Sequence, residues 1–313
     1  MAVLAMDLGG TKLSSAIFSS LGEIVTKEVV PVNGMKGNEV AKVITTAIQR
    51  QLANHAIKSI GISVPGISRH KTGTVWAPNI EGWEDYPLAN EIQGVAGRIP
   101  VGIDDDRACS IFGEQWQGHA KGCKDVVFLA IGTGIGAGIL SGGNLIRGSQ
   151  DIAGAIGWWA LQKPFIAPYS NCGCFEYYAS GGGIPKLTND FLQRDATPSL
   201  LRNIHSADIT AHQVFDSYDK GDRVAVMIIQ ECITFWGMSA ANLVSILNPE
   251  KIIFGGGVFG PASRFIDAIK AEATKWAQPV SMRQVSFERS ALGPDAALFG
   301  AANVALSKLN NNA

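Results

Sequence analysis

"VVFLAIGTGIGAGIL", residues 126–140, is the stretch on which the fold turns. β-Branched and aromatic residues lead into glycines at 132, 134, 136 and 138, and "AGIL" carries the apolar run onward. A bilayer-spanning helix needs roughly 18–20 apolar residues, and this run is shorter and broken by glycine. A dinucleotide-binding loop would have to open a helix, whereas here the chain continues as a strand. The pattern predicts a buried hairpin: strand, glycine turn, strand.

The same unit occurs about 125 residues earlier. A strand from Val3 meets a tight turn at Gly9-Gly10, a second strand runs through Phe18, and a third follows near 23–32. Apolar residues at Val40, Val43, Ile44, Ala47 and Ile48 predict a helix over about 38–53. A strand at 59–64, a Pro/Gly-punctuated loop, a helix near 88–95, a strand at 101–103 and a helix opening at an Asp cluster complete the order βββαβαβα. After the second hairpin, "NLIRG" supplies a third strand and an insertion over roughly 148–212 intervenes. There follow a long helix over about 223–247 closed by Pro249, a strand at 251–254, a triple-glycine turn, a helix near 262–276, a strand around 284–287 and a final helix from about Asp295. The unit is used twice. This predicts an α/β fold of two lobes, residues 1–117 and 118–313, with the final helix packing back on the first lobe and a ligand cleft lined by the glycine turns.

Composition agrees with a ligand-binding globular protein. At 313 residues the chain exceeds the roughly 100–200 residues of one domain. Apolar residues make up 46% and charged residues 17%, and 26 basic side chains nearly balance 27 acidic ones, so neither nucleic acid nor a membrane surface is expected as a partner. Thirty-six glycines, many clustered, point to tight turns and close approach of backbone to ligand. Five scattered cysteines do not read as a disulfide framework, and the N-terminus enters "AVLAMDLGG" with no cleavable apolar segment; a cytoplasmic location is expected.

Several stretches carry chemistry. In "MDLGGTK", residues 6–12, Asp7 ends a strand, Gly9 and Gly10 offer bare N–H groups to an anion, Thr11 and Lys12 add donors, and Asp7 could hold Mg²⁺ through water; the alternative is an ordinary hairpin turn. Gly132, Thr133 and Gly134 repeat the idea. "GGGVFG", residues 255–260, matches a dinucleotide fingerprint literally, but only about 55 residues remain after it and no acid follows at the required distance. Gly255, Gly256 and Gly257 therefore read as a surface for adenosine or as a crowded turn. The chain lacks a G-x-x-x-x-G-K-[ST] loop, so any phosphoryl transfer uses another architecture.

"VGIDDDRACSIFGE", residues 101–114, sets Asp104, Asp105 and Asp106 between a strand and a helix. One acid suffices as a helix cap, and crowding should raise the pKa of at least one, which suits a general base. "WAPNIEGWEDYPL", residues 76–88, combines Trp76, Trp83, Asn79 and Glu81 in the manner of a site for hydroxylated rings, although the tryptophans read equally as packing residues. "NCGCFE" places Cys172 and Cys174 beside Glu176 and reads as half a metal site, a redox pair, or a loop whose important residue is the glutamate; a redox C-x-x-C has two intervening residues.

Through "DLGGTK", "GISVPG", "APNIEGW", "IDDDRACSIFGE", "IGTGIGAGI", "AGAIGWW", "GCFEYYASG", "LNPEKIIFGGG" and "PDAALFGAA", the chain resembles the ROK family of sugar kinases and sugar-responsive repressors over its whole length. The resemblance implies duplicated actin-like ATPase (RNase H-like) lobes and transfer of phosphate from ATP, with Mg²⁺, to the 6-hydroxyl of a hexose or hexose derivative. It implies Asp106 as catalytic base, sugar contacts from Asn79, Asp105, Asp106 and Glu176, phosphate loops at Asp7, Gly9, Gly10 and Thr11 and at Gly132, Thr133 and Gly134, an adenosine side at Gly255 to Gly257, and a homodimer. Family repressors carry an N-terminal helix-turn-helix, whereas the first strand here begins at residue 3, so DNA binding is not expected.

The departures are local. Where the family usually reads Glu-x-Gly-His, this chain has Ala155-Ile156-Gly157-Trp158, and two usual zinc cysteines fall at Ala167 and Tyr169. A tetrahedral zinc set is then incomplete, so no zinc and reduced thiols at Cys172 and Cys174 are expected, with Trp158, Trp159 and Tyr169 bracing the loop by aromatic packing. Asp105 stands where the family has asparagine and, ionised, accepts without donating. Together with Ala155 this opens amino sugars, N-acetylated hexosamines and ketohexoses as alternatives to glucose. A non-catalytic sugar sensor is the alternative reading; the full set of nucleotide-side motifs favours the kinase.

Overall fold

The computed structural model describes residues 1–310. Its first half runs β1 (Ala2–Leu8), β2 (Lys12–Ser19), β3 (Ile24–Pro31), α1 (Asn38–Asn54), β4 (Ile57–Val64), β5 (Ile67–Arg69), β6 (Thr74–Trp76), α2 (Leu88–Ala96), β7 (Val101–Asp105) and α3 (Asp106–Gln117). The second runs β8 (Val126–Ile131), β9 (Ile135–Ser141), β10 (Asn144–Leu145), α4 (Tyr169–Cys172), α5 (Cys174–Ala179), α6 (Gly183–Arg194), α7 (Ala211–Asp219), α8 (Arg223–Leu247), β11 (Lys251–Gly255), α9 (Ile266–Trp276), α10 (Pro279–Gln284), β12 (Ser286–Arg289) and α11 (Ala296–Asn310).

The chain forms two compact units. One holds Met1–Gly122, Leu145–Ala153 and the described residues from Asp295 onward; the other holds Cys123–Asn144 and Gly154–Pro294. Within the first, five strands lie in the order β3-β2-β1-β4-β7, the hairpins antiparallel and β1, β4 and β7 parallel. Within the second the order is β10-β9-β8-β11-β12, again an antiparallel hairpin joined to parallel strands. Residues 126–140 are indeed a hairpin, β8 paired with β9 from Val126↔Leu140 to Ile131↔Ile135. The duplication predicted from that stretch is present.

Three expectations need correction. "NLIRG" contributes only the two residues of β10, because the chain leaves that sheet at Leu145 and packs residues 145–153 into the first unit. The punctuated loop after β4 contains the β5–β6 hairpin, and a short helix, α10, precedes β12. α8 is long and apolar enough to cross a membrane, but 67% of its most apolar window is buried inside the protein, where Trp236 donates from its indole Nε1 to the Ala179 carbonyl at 3.0 Å. Its apolarity reflects a core position. Asp222 caps its start by accepting from Ala225 N–H at 2.9 Å, and Asn248 ends it in the left-handed conformation just before Pro249.

In the first unit the sheet is covered on both faces. Val40, Ile44 and Ile48 of α1 and Leu88 and Ile92 of α2 pack with Leu4, Met6, Ile60 and Ile62 on one side. Leu298, Ala301, Ala302 and Ala305 of α11 pack with Val3, Ala5, Ala16 and Phe18 on the other. This second contact is backbone-close. A Cβ added at Gly300 would lie 1.7 Å from the Cys109 carbonyl oxygen of α3, and one added at Gly61 of β4 would lie 1.8 Å from the Ala301 carbonyl oxygen. Gly300→Ala is therefore expected to cost about 2–3 kcal/mol by overpacking and to lower Tm by several degrees. Thermal denaturation checks this, with Gly94→Ala, a site with nothing within 4 Å of the added methyl, as the control that should not lower Tm.

Candidate active site

Parallel pairing of β1, β4 and β7 sets Asp7, Ser63 and Asp104 in one row near the carboxyl ends of three adjacent strands. That end of an open α/β sheet is where ligands bind. The chain then turns from β7 into α3, and its three acids take different environments. Asp104 is buried and held by Arg147, whose Nη1 and Nη2 donate to Oδ1 at 2.8 Å and to Oδ2 at 2.6 Å. Burial pushes its pKa up, but the hydrogen bonds from Arg147 and the nearby His70 imidazole outweigh it, and the net shift is downward. Asp105 is the N-cap of α3: its Oδ1 accepts from the N–H groups of Arg107 and Ala108, each at 3.1 Å, and from Arg107 Nε at 3.0 Å. Burial raises Asp105 despite that cation.

Asp106 is the first helical residue, and its carboxyl is strongly perturbed. Burial, and then the negative charge of Asp105, push it up to about 7, with Asp7 adding to the repulsion. Asp7 is itself raised by burial, while Ser63 and Lys12 pull it back. Ser63 is fully buried, and its hydroxyl has no hydrogen bond of ordinary geometry among the described residues. The first unit thus concentrates carboxylates that need a proton or a cation at neutral pH.

Asn79 is exposed in the loop after β6 and lines a cavity of about 200 Å³ with Gly9, Gly10, Lys36 and Glu81, the last two joined by an ion pair at 2.5 Å. Thr11 and Lys12 are exposed at the turn, where Gly9 N–H donates to the Lys12 carbonyl at 2.9 Å. Trp83 is a packing residue: it is buried, stacks on Tyr86 at 4.7 Å and donates to the Gly37 carbonyl at 3.0 Å.

In the second unit Glu176, on α5, accepts from the Ile135 N–H at 2.7 Å. Burial raises its pKa, and that N–H and Lys186 act against the rise. The carboxylate fits there because residue 134 is glycine; an added Cβ would stand 2.7 Å from Glu176 Oε2. The same hairpin is tied down on its carbonyl side, Gly181 N–H donating to Gly132 at 2.7 Å and Gly182 N–H to Thr133 at 3.2 Å. Gly256 sits against Ile131, so Gly132, Thr133 and Gly134 and the turn Gly255, Gly256 and Gly257 belong to one neighbourhood.

Cys172 and Cys174 are free thiols, the first partly exposed and the second buried. Among the described residues no group of three or more His, Cys, Asp or Glu is arranged to hold a metal ion. The expected aromatic brace is corrected in its membership. Trp158 is 56% exposed and braces nothing, whereas Tyr169 is buried with its hydroxyl 2.7 Å from that of Tyr178, which stacks on Phe235 at 5.0 Å. A flat surface residue and a core tyrosine look alike in a string of aromatics.

Comparison with known proteins agrees with this geometry. A model of the ROK family matches residues 3–308. The chain belongs to the ROK family. A glucokinase of Halalkalibacterium halodurans is 32% identical over 308 residues, covering 95% of this chain and 92% of that protein. A ROK family glucokinase from Streptomyces griseus, solved in complex with glucose and AMPPNP, superposes with a TM-score of 0.81 at 27% identity, covering 98% of this chain and all of that one. The family also includes regulators to which the chain is similar: a xylose repressor of Caldicellulosiruptor bescii is 25% identical over 315 residues, which span 98% of this chain and 78% of that protein. The duplicated fold is the actin-like ATPase fold of the ROK hexokinases.

Arg147 and His70, which hold Asp104, were invisible in the sequence because their partner lies 43 and 34 positions away and no motif links them. Asp106 has a consequence for stability. A raised folded-state carboxyl pKa means the folded chain keeps a proton that the unfolded carboxyl has released, so stability falls as pH rises from the ordinary carboxylate range to about 7. Asp106→Asn removes this penalty. The variant is expected to be more stable than the wild type at pH 8 by on the order of 2 kcal/mol, with the difference shrinking toward pH 5, as read by denaturant melts across that range.

Proposed function

We propose that this ROK-family chain, an ATP-dependent sugar kinase, transfers the γ-phosphate of ATP to the 6-hydroxyl of a hexose or hexose derivative with Asp106 as general base. The observation that carries the proposal is the carboxyl of Asp106, raised to about 7 at the start of α3, two residues beyond Asp104 in the row it forms with Asp7 and Ser63. A base with that pKa is deprotonated often enough at neutral pH to work and basic enough to take a proton from an alcohol. Support comes also from the relatives named glucokinase, one of them bound to glucose and AMPPNP.

In this reading Asn79, Asp105 and Glu176 orient the sugar hydroxyls, and the N–H groups around Gly9, Gly10 and Thr11 and around Gly132, Thr133 and Gly134 receive phosphate oxygens, with Lys12 beside the first turn. Of the turn Gly255 to Gly257, Gly257 leaves room for adenosine, since an added Cβ there would meet nothing within 4 Å, while Gly255 and Gly256 are packed against Phe128 and Ile131. The single hard oxygen donor of Asp7 next to such a turn fits a hydrated Mg²⁺, which would neutralise charge on the phosphates. Asp106 accepts the hydroxyl proton as the oxygen attacks, and holding the hydroxyl in line is the larger part of the work.

The test is ADP release from Mg-ATP against a panel of glucose, mannose, fructose, glucosamine and N-acetylhexosamines, with the phosphorylated carbon assigned by NMR. A sugar-dependent rate that climbs with pH through about 7, and is cut roughly a hundredfold or more by Asp106→Asn while sugar binding persists, is expected. Survival of turnover in that variant would show that another group is the base. Silence across the panel, with sugar still raising Tm, would assign the chain to non-catalytic sensing.

The same reading includes no structural zinc, since Trp158, Ala167 and Tyr169 offer no ligand where the family binds one. A zinc-selective chelator is expected to leave Tm unchanged. A fall of several degrees, accompanied by zinc in elemental analysis of the purified protein, would overturn that.

A further inference from the structure

We propose that Arg147 is a positioning residue for the strand-to-helix turn that presents Asp105 and Asp106, acting through Asp104. Nothing in the reaction requires a third acid in "DDD", yet Asp104 is engaged through both of its oxygens, whereas Asp105 is engaged through one. Its Oδ1 accepts from Arg147 Nη1 at 2.8 Å and from the backbone N–H of Asp105 at 3.0 Å, while its Oδ2 takes Arg147 Nη2 at 2.6 Å. The carboxylate therefore links the guanidinium directly to the peptide plane from which Asp105 and Asp106 follow. A planar guanidinium bound through two nitrogens sets the angle of that carboxylate as well as its charge.

Arg147 arrives by an unusual route. Residues 145–153 follow β10 of the second unit in sequence but pack in the first, as a closed loop in which Ala153 N–H donates to the Arg147 carbonyl at 2.9 Å. The loop grips the first unit at two places. Besides the Arg147–Asp104 pair, Asp151 accepts from His70 N–H at 3.2 Å through Oδ2 and lies 3.3 Å from His70 Nδ1 through Oδ1. Asp151 holds this grip with φ of 57°, in the left-handed region that aspartate enters more readily than most residues with a side chain. His70 Nε2 completes the group 3.7 Å from Asp104 Oδ2.

Two properties follow from the geometry. Removal of the guanidinium leaves a buried carboxylate with only the His70 imidazole, 3.7 Å away, to compensate it, so it takes up a proton or reorients, and on reorienting it takes the acceptor for Asp105 N–H with it. Asparagine at 104 keeps an oxygen for that N–H and carries no charge to compensate. A neutral residue 104 should therefore make Arg147 dispensable.

The experiment compares Arg147→Met, Arg147→Lys, Asp104→Asn and the double variant Asp104→Asn/Arg147→Met in the full chain, by hydrogen exchange over residues 101–110 and by steady-state kinetics on the sugar found in the panel. Arg147→Met is expected to speed exchange of that segment and lower kcat, each about tenfold or more, with the sugar KM within about threefold of wild type. Arg147→Lys, which keeps the charge but not the fork, should fall between, and it serves if the methionine variant does not fold. The double variant should return both readouts to those of Asp104→Asn alone. Unchanged exchange over 101–110 in Arg147→Met and Arg147→Lys would overturn the proposal, as would faster exchange with kcat intact. The kinetic arm rests on the kinase reading; a wild type inactive on every sugar would sink that reading, while exchange would still decide whether Arg147 holds the turn.

Discussion

The register of three parallel strands governs the rest of the first unit. β1, β4 and β7 are paired so that Asp7, Ser63 and Asp104 fall side by side at the carboxyl end of the sheet, and α3 starts directly after β7, at Asp106. A slip of one residue would exchange side chains between the faces of the sheet. The register is protected by full burial on both faces, with α1 and α2 on one side and α11 on the other, so a shifted pairing would strand Leu4, Met6, Ile60 and Ile62 or Val3 and Ala5 in the wrong layer. The close approach of α11 at Gly61 and Gly300 tightens that constraint, because the glycines admit helix backbone where no side chain would fit.

Four carboxylates gathered by this register cannot all be treated alike. Asp104 is paired with a guanidinium and stays ionised; Asp105 has one oxygen engaged by the helix start and Arg107; Asp7 lies beside Ser63 and near Lys12; at Asp106 burial and the charge of Asp105 outweigh Arg107. A proton therefore settles on Asp106 near neutrality. General-base chemistry needs that condition, and it arises from the order in which compensating groups are assigned.

The second unit uses the other half of the same economy of space. The β8–β9 turn is closed by Gly132 N–H donating to the Gly134 carbonyl, its Gly132 and Thr133 carbonyls are engaged by Gly181 and Gly182, and Glu176 takes the Ile135 N–H. The loop bearing Cys172 and Cys174 is held by Tyr169, Tyr177, Tyr178 and Phe235, an interlocked set of rings with centroids 5.0 to 5.8 Å apart where they touch. Ring packing is adequate for such a loop, since each aromatic buries a large apolar surface and Tyr169 and Tyr178 satisfy one another's hydroxyls.

Much was legible in the sequence because it is local. The paired glycine hairpins, the period of α1, the cap signal at the Asp cluster and the closing of α8 before Pro249 depend on neighbours a few residues apart, and the spacing of the ROK motifs lies along the chain in order. The sequence alone therefore determined the duplicated α/β fold and the family. Tertiary structure decided which acid does what. The identity of the cap, the pairing of Asp104 with Arg147, the exposure of Trp158 and the burial of Tyr169 are set by contacts between residues far apart in the chain, and burial and charge compensation are properties of the assembled surroundings that no local pattern records.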